Sequence, residues 1–272
     1  MELAFTKMQG AGNDFLLVDD RTRAWTLTPA QVQRLCHRQR GVGADGVLLL
    51  RPGTPSRADW AWEFFNSDGS RAEMCGNGAR CFARFIQRLT DAPGPVTFET
   101  GAGVISARFH GARVTVSLTP PCDLRLNQTV VLADGPRTVH SVNTGVPHAV
   151  LLVSDLDQVP VLVLGAALRH HAQFAPRGTN VDFVQVLGPQ TLRLRTYERG
   201  VEGETLACGT GVTAAALVAA RVQGLPSPLQ VRVQGGDLLE VGFKEVLDGW
   251  ERVELTGPAE FVFEGRLRLE NL

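Results

Sequence analysis

The sequence lacks the features that mark disulfide-stabilised, zinc-binding, membrane-spanning and secreted proteins. Its five cysteines are an odd number at irregular spacing, which is a poor basis for a disulfide framework. No CxxC pair is present, so we expect no structural zinc site. No run approaches the roughly 20 apolar residues that span a bilayer, and the N-terminal segment lacks the apolar run of a signal peptide. We therefore expect a cytoplasmic protein whose thiols stay reduced.

The chain also has no marked excess of positive or negative charge. The 27 basic and 28 acidic residues leave a net charge of −1, which argues against nucleic acid or an anionic membrane as the main partner. The segment Gly41-Val-Gly-Ala-Asp-Gly46 fits GxGxxG, but a predicted helix precedes it and a predicted strand follows it. The dinucleotide fingerprint has the opposite order, so we expect no nucleotide cofactor.

The 272 residues fit two domains of ordinary size, and an internal repeat supports that division. Met-Cys-Gly-Asn-Gly-Ala (74–79) in the first half matches Ala-Cys-Gly-Thr-Gly-Val (207–212) in the second. Each segment opens a helical run that ends before a proline and a strand. Gly101 lies 26 residues after Cys75, and Gly235 lies 27 residues after Cys208. Matches in the same order at nearly equal spacing favour two copies of one fold. The boundary is predicted near Thr119–Pro121.

Short apolar runs bounded by Gly, Pro, Asn or Asp predict a strand-rich chain. A helix is expected over Pro29–Gln39, with Thr28 as N-cap and Pro29 in its first position. The predicted strands are Phe15–Asp19, Gly46–Leu50, Trp60–Asn66, Val96–Thr100, Val104–Phe109, Val114–Leu118, Ala149–Val153, Asp182–Leu187, Thr191–Tyr197, Leu229–Val233, Leu238–Phe243 and Arg252–Leu255.

Two further helices are expected directly after Cys75 and Cys208. In the first, the apolar positions 81, 82, 85, 86 and 89 form one stripe, and the opposite face is expected to hold Arg80, Arg84, Gln87 and Arg88. The second, over Val212–Val222, is apolar nearly all round and should be buried. Gly224 and Pro226 should end it.

A cysteine at a helix N-terminus lies beside free backbone N–H groups and the positive end of the helix dipole. We expect this position to lower the thiol pKa and to favour a carboxylate ligand. Two such loops related by the repeat are expected to present Cys75 and Cys208 to opposite faces of one carbon. Inversion of a carbon centre needs that arrangement, because a base removes the proton on one face and an acid returns one on the other. Cys36, Cys81 and Cys122 are expected to be small buried side chains.

The chain resembles the diaminopimelate epimerases over nearly its whole length. The motifs that carry the resemblance are Lys7-Met-Gln-Gly-Ala-Gly-Asn-Asp-Phe15, Gly41–Gly46, Phe65-Asn-Ser-Asp-Gly-Ser70, Met74-Cys-Gly-Asn-Gly-Ala-Arg-Cys81, Gly145-Val-Pro-His148, Gly178-Thr-Asn180, Tyr197-Glu-Arg-Gly200 and Ala207-Cys-Gly-Thr-Gly211.

The resemblance implies an α/β (α+β) fold of two pseudo-symmetric domains, each a curved mixed sheet around a central helix. We expect an N-terminal domain over 1–119, which 262–272 can complete, and a C-terminal domain over 120–261. It also implies an isomerase that converts LL-2,6-diaminopimelate to the meso form for lysine and cell-wall precursor synthesis, without pyridoxal phosphate or metal. A homodimer is a further expectation, although Phe263 stands where some members carry a tyrosine linked to dimer contacts, so the hydroxyl of that contact is missing here.

Roles for particular residues follow from the same resemblance. Cys75 and Cys208 are expected to transfer the protons, with His148 and Glu198 as an auxiliary pair beside the thiols. The residues expected to bind the reacting end of the substrate are Asn13, Gly76, Asn77, Gly209 and Thr210. Those expected to bind the distal amino-acid end are Asn66, Asn180, Glu198 and Arg199. Gly46 and Val146 replace a Gln and an Asn that some members carry, which removes two side-chain contacts.

Two other functions are open at this point. One is a racemase or epimerase of the same fold for proline or hydroxyproline, against which the polar set for a distal end argues. The other is a non-catalytic amino-acid-binding protein, against which the retention of both cysteines argues.

Overall fold

The computed structural model describes residues 2–91, 93–247 and 249–268. The chain divides into two compact units, of which the first holds Met1–Ser117 with Gly257–Leu272 and the second holds Leu118–Thr256. The elements up to Ser117 are β1 (Glu2–Gly10), β2 (Asn13–Asp19), α1 (Pro29–Cys36), β3 (Gly46–Pro52), β4 (Trp60–Asn66), α2 (Gly76–Thr90), β5 (Val96–Thr100), β6 (Gly103–His110) and β7 (Arg113–Ser117). Those that follow are β8 (Cys122–Leu132), β9 (Gly135–Asn143), β10 (Pro147–Leu152), α3 (Val161–Arg169), β11 (Asn180–Gly188), β12 (Thr191–Glu198), β13 (Gly203–Thr205), α4 (Gly209–Gln223), β14 (Leu229–Arg232), β15 (Leu238–Val246), β16 (Gly249–Pro258) and β17 (Glu260–Arg268).

The first unit is a mixed sheet with one long helix packed on it. β1 pairs with β2 in antiparallel fashion, β2 with β3 in parallel, β3 with β4 antiparallel, and β4 with β5 in parallel. β5, β6 and β7 continue as an antiparallel meander, and β17 pairs antiparallel with β1. The central helix α2 packs against β1, β2, β3, β5, β6 and β7, while α1 packs against β3.

The second unit repeats this order of pairings. β9 to β12 pair in the same antiparallel, parallel and antiparallel sequence, β14 joins β12 in parallel, and β14, β15 and β16 form the meander. β8 pairs antiparallel with β9, as β17 does with β1. Helix α4 packs on this sheet as α2 does on the first, and α3 corresponds to α1. The predicted fold of two repeated halves is confirmed: the structure is mixed α/β and mostly sheet.

The helix starts follow the sequence closely. Thr28 caps α1 in a capping box with Gln31, although the helix ends at Cys36 and not at Gln39. Cys75 and Cys208 are the N-cap residues of α2 and α4, so both predicted helices are confirmed. Gly224 ends α4 in the left-handed conformation that glycine adopts most readily. Among the described residues, no helix combines the length and the apolar character needed to cross a membrane.

Every predicted strand overlaps a strand of the structure, but several elements were not predicted: β1, β8, β9, β13, β17 and α3. One prediction about α2 is wrong. The amphipathic pattern placed Arg80 on the open face of the helix, yet its side chain is fully buried. The reason is hydrogen bonding, because acceptors from the first turn of α2 and from the distant Pro258 surround its guanidinium.

A partly buried ion cluster around Asp14 joins β1, β2 and the loop before β3. Asp14 forms an ion pair with Lys7 at 2.7 Å and accepts two hydrogen bonds from Arg38 at 2.9 and 3.0 Å. Arg38 also donates to Asp45. Burial opposes ionisation of Asp14, but the hydrogen bonds and charges of Arg38 and Lys7 outweigh it and lower its pKa to about 2. The cluster thereby fixes Asp45, which in turn binds Asn13.

We predict that Asp14 makes the fold sensitive to acid. A carboxylate whose pKa is depressed on folding stabilises the protein above its unfolded pKa of about 4, and this contribution is lost as the pH falls toward 2. Asp14→Asn should lower the free energy of unfolding by on the order of 2 kcal/mol at pH 7, with a difference from wild type that shrinks between pH 4 and pH 2. Urea denaturation across this range measures it, with the surface variant Asp134→Asn as control. A difference that does not change with pH would contradict the prediction.

Candidate active site

The residues predicted to act on substrate gather at one edge of the sheet in each unit. In the first unit, β2 begins at Asn13 and β4 ends at Asn66, and the strand register places Phe15 opposite Gly46 and Gly46 opposite Asn66. In the second unit, His148 lies opposite Asn180, and the pairing of Val181 with Tyr197 brings Glu198 to the same edge. Each edge faces the start of its own long helix, where the cysteine lies.

The thiol of Cys75 is held by the first turn of α2 and by Asn13. It accepts a hydrogen bond from the backbone N–H of Gly78 at 3.4 Å and donates to Oδ1 of Asn13 at 3.6 Å. Asn77 donates to the same oxygen at 3.3 Å, and Asn13 donates to Asp45 at 2.6 Å. The structure therefore brings three predicted site residues together and adds Asp45, which sequence reasoning missed.

Arg80 fixes the loop that carries the first cysteine. Its guanidinium donates to the carbonyl of Gly76 at 3.2 Å, to Oδ1 of Asn77 at 2.9 Å and to the carbonyl of Pro258 at 3.1 Å. The backbone N–H groups of Gly76 and Asn77 lie in the first turn of α2, at the end of the helix whose dipole favours an anionic ligand. A rigid loop keeps them aimed in one direction.

Asn66 and Gly46 lie at the same edge of the sheet as Asn13. The side chain of Asn66 is exposed and donates to Ser70 at 3.0 Å, so no described contact joins it to Cys75. A Cβ atom at Gly46 would lie 2.7 Å from both the ring of Phe64 and the carbonyl oxygen of Phe65. Such contacts are too short, and the position of Gly46 therefore has no room for a larger side chain.

Cys208 has a different environment, made of a buried chain of polar side chains. Its sulfur lies 3.4 Å from Oγ1 of Thr210, which lies 3.0 Å from Nε2 of His148. Nδ1 of His148 is 2.6 Å from Oδ2 of Asp182, and Thr196 donates to the other oxygen of Asp182 at 2.7 Å. All five side chains are buried. His148 and Thr210 were predicted site residues, whereas Asp182 and Thr196 were not.

The expectation that a helix N-terminus lowers the thiol pKa is wrong for Cys208. Burial raises the pKa of this thiol well above its ordinary value, and the negative charges of Glu198 and Asp182 raise it further. The Thr210 hydroxyl and the N–H of Gly211 lower the pKa but do not offset these effects. Desolvation therefore outweighs the helix terminus, and Cys208 rests as a thiol.

Asn180, at the start of β11, and Arg199, directly after β12, lie beside these polar side chains. The side chain of Asn180 accepts from the backbone N–H of Arg199 at 2.8 Å and donates to the carbonyl of Pro147 at 3.1 Å. Burial, reinforced by the positive charges of Arg169 and Arg177, lowers the pKa of Arg199. A half-buried guanidinium among other cations is a favourable place for a carboxylate.

The remaining cysteines divide between two environments. Cys36 and Cys81 are buried as predicted, and burial raises the pKa of each thiol to about 12. The prediction for Cys122 is wrong, since it lies exposed at the start of β8. Within the described part of the chain, no group of three or more His, Cys, Asp or Glu side chains is arranged to hold a metal ion.

The third residue of each long helix offers a matched test of how tightly the two sites are packed. A Cβ atom at Gly211 would lie 2.5 Å from Oδ1 of Asp182, whereas one at Gly78 would meet Phe15 and Leu48 at ordinary distances of 3.5 and 3.6 Å. We predict that Gly211→Ala lowers the free energy of unfolding by about 1–3 kcal/mol through overpacking. Gly78→Ala should leave it unchanged or raise it by up to about 1 kcal/mol through helix propensity. Urea unfolding of both variants measures this, and equal losses would contradict it.

Comparison with known proteins identifies relatives over the whole chain. The family model described as diaminopimelate epimerase matches residues 5–121 and 140–262. The diaminopimelate epimerase of Aquifex aeolicus (strain VF5) is 44% identical over an alignment of 283 positions, which covers 99% of each chain. That of Hydrogenobaculum sp. (strain Y04AAS1) is 42% identical and covers 98% of this chain and 99% of its own.

Solved structures extend the likeness of the fold. A hydroxyproline epimerase from Agrobacterium vitis, with trans-4-hydroxy-L-proline bound, superposes with a TM-score of 0.74 at 18% identity. The match covers 98% of this chain and 92% of that one. At this identity the likeness concerns the fold alone.

Proposed function

This chain belongs to the diaminopimelate epimerase family and is an isomerase, and on that premise we propose that it interconverts LL-2,6-diaminopimelate and meso-diaminopimelate. The observation that carries the proposal is the repeated half-site. In both units a cysteine is the N-cap of the long central helix, and the sheet edge beside it carries polar side chains.

Cys75 and Cys208 are the proposed proton-transfer pair. One thiolate removes the α-hydrogen, and the other thiol delivers a proton to the opposite face, which inverts the carbon. The α-hydrogen of an amino acid is a very weak acid, so the charge that develops on the reacting carboxylate must be stabilised. The backbone N–H groups of Gly76 and Asn77 and those of Gly209 and Thr210 are the proposed donors, since they lie in the first turns of the two helices.

The polar groups around Asn180 support a substrate with a second amino-acid end. Arg199 is the proposed partner of the distal carboxylate, because a guanidinium offers paired donors to it. Glu198 is proposed to accept from the distal ammonium group as well as to assist at Cys208, whose pKa its charge already raises. Asn66 and Asn180 complete the proposed distal set, and Asn13 contacts the reacting end. A small cyclic amino acid has no second amino-acid end for these groups to bind.

The place of the reaction follows from its product. Meso-diaminopimelate supplies lysine and cell-wall precursor synthesis, which we place in the cytoplasm. This setting suits an enzyme that depends on reduced thiols, and all five cysteines of the chain are free.

The experiment follows the amount of each stereoisomer by chiral separation after LL-diaminopimelate is added. We expect the wild-type protein to reach a mixture of LL and meso forms. Cys75→Ala and Cys208→Ala should each lower kcat by about a thousandfold or more, since each removes an acid–base group. Cys122→Ser, which alters an exposed thiol outside both half-sites, should retain turnover. Wild-type turnover in either alanine variant would contradict the two-thiol mechanism, and activity on trans-4-hydroxy-L-proline alone would favour the racemase alternative.

A homodimer is proposed through the C-terminal strand. The side chains of Phe261, Val262 and Phe263 on β17 are 36%, 54% and 47% exposed, and consecutive exposed apolar residues on a strand favour association. Phe263→Asp should shift the protein toward monomer in sedimentation equilibrium. Val163→Asp introduces the same charge at an exposed apolar site on α3 and should not shift the protein toward monomer. A monomeric wild-type protein would contradict the proposal.

A further inference from the structure

The duplicated fold allows the two half-sites to be compared position by position. In the first unit, Phe15 lies opposite Gly46 and Leu48 opposite Phe64. In the second, His148 lies opposite Asn180, and Asp182 opposite Thr196. Gly46 therefore corresponds to Asn180, and the trio of Phe15, Leu48 and Phe64 corresponds to the trio of His148, Asp182 and Thr196.

The two trios occupy the same place and differ in chemistry. Phe15 and Leu48 are the side chains nearest a Cβ atom built at Gly78, apart from Cys75, and Asp182 is the one nearest a Cβ atom at Gly211. Both trios thus lie under the start of the long helix, three residues after the cysteine. Phe15 and Phe64 stack edge to face at 6.0 Å, whereas His148, Asp182 and Thr196 form hydrogen bonds.

The fold does not require polar groups at this place. The first unit fills it with apolar side chains, and burying ionisable groups is unfavourable unless they are paired and hydrogen-bonded. His148 and Asp182 are both fully buried. The first unit has apolar side chains at the positions that hold the polar trio in the second. This difference indicates that the polar trio has a role in the chemistry of Cys208.

The hydrogen bonds of the trio have one consistent direction. Asp182 accepts from Thr196 and, as a carboxylate, can only accept from Nδ1 of His148. Nδ1 therefore carries the hydrogen of the neutral imidazole, which leaves Nε2 as an acceptor for the Thr210 hydroxyl. The oxygen of Thr210 is then free to accept from the thiol of Cys208. These hydrogen bonds run from thiol to hydroxyl to imidazole to carboxylate through direct contacts.

We propose that Asp182 is a positioning residue for the epimerase reaction, and that the Thr210 hydroxyl relays the Cys208 proton to a His148 whose tautomer Asp182 fixes. The relay rests on the proposed function, because it supplies the thiolate that removes the α-hydrogen. Cys208 gives its proton to the Thr210 oxygen as the Thr210 proton passes to Nε2 of His148. The products are a thiolate and an imidazolium. Asp182 stabilises the imidazolium without taking a proton. The total charge of the four hydrogen-bonded groups is therefore unchanged.

The relay answers a difficulty at Cys208. Its buried thiol lies near the negative charges of Glu198 and Asp182, which oppose a second negative charge on sulfur. An imidazolium formed two hydrogen bonds away offsets them. Cys75, by contrast, lies against the amide of Asn13, which cannot take its proton.

The first test replaces Asp182 by its neutral isostere. In Asp182→Asn the amide can donate to Nδ1, which moves the imidazole hydrogen to Nε2 and opposes the relay. We expect kcat to fall by about 100-fold or more with KM changed less than threefold, since the analogous change in a serine protease triad costs about 10⁴-fold in kcat. Asp20→Asn is the matched control: Asp20 is also fully buried and accepts from the backbone of Ala24 and Trp25, away from the site. It should lower the unfolding midpoint and leave kcat unchanged.

The second test concerns the hydroxyl. Thr210→Val keeps the shape and the backbone N–H but removes the relay oxygen, and kcat should fall by at least about tenfold. Thr210→Ser should recover most of this loss. If Asp182→Asn or Thr210→Val retains kcat within threefold of wild type, the relay is wrong.

A spectroscopic readout separates the relay from the proposed function. In ¹⁵N-labelled protein, with the His148 signals assigned by comparison with His148→Gln, the relay predicts a protonated Nδ1 and a bare Nε2, reversed in Asp182→Asn. A protonated Nε2 in the wild-type protein would overturn the relay. This measurement needs no turnover, so a protein with the predicted tautomer that does not convert diaminopimelate would refute the proposed function and leave the hydrogen-bond chain in place.

Discussion

The cysteine at the N-terminus of each central helix is the constraint on which the account depends. As N-cap residues, Cys75 and Cys208 place a sulfur beside the first N–H groups of a helix, so in the proposed mechanism one short loop provides both an acid–base group and an anion site. The glycines that follow keep side chains away from those N–H groups. The sheet strands then bring further polar side chains to the same edge. Duplication of the unit supplies a second such cysteine, which the proposed inversion of a carbon requires.

The two copies have nevertheless diverged in how they treat the sulfur. Cys75 donates to the amide of Asn13, which in turn donates to Asp45 of the Asp14 cluster. Arg80 holds the loop through a hydrogen bond to Asn77. Cys208 lies at the end of a buried chain that contains an imidazole and a carboxylate. Burial alone disfavours a thiolate at Cys208, so the chain beneath it bears on whether that thiol can serve as a base. The two units therefore share a fold, but their cysteines have different hydrogen-bonding environments.

Much of the fold could be predicted from local signals. The Cys-Gly-x-Gly segments fix the starts of α2 and α4, and the capping box at Thr28 fixes that of α1. β8 was missed because most of its side chains are exposed or half-buried, so it lacks the apolar run that identifies a strand. Arg80 was placed on the wrong face because helical periodicity carries no information about the acceptors from the loop and from Pro258. The sequence does single out Asp182, because it is a carboxylate inside the apolar run Val181-Asp-Phe-Val184. Its partners come from other strands and from the loop at α4, and only the tertiary fold joins them.

The most direct test of the two-thiol account is the position of isotope at early times in D2O. LL-diaminopimelate is added to the wild-type protein in D2O, and both stereoisomers are isolated before much product has formed. Because one thiol removes the α-hydrogen and the other supplies its replacement, we predict that the meso product carries deuterium at the inverted carbon while the remaining LL form keeps its hydrogen. Deuterium entering the LL form as fast as it enters the product, or meso product that retains the original hydrogen, would contradict the account.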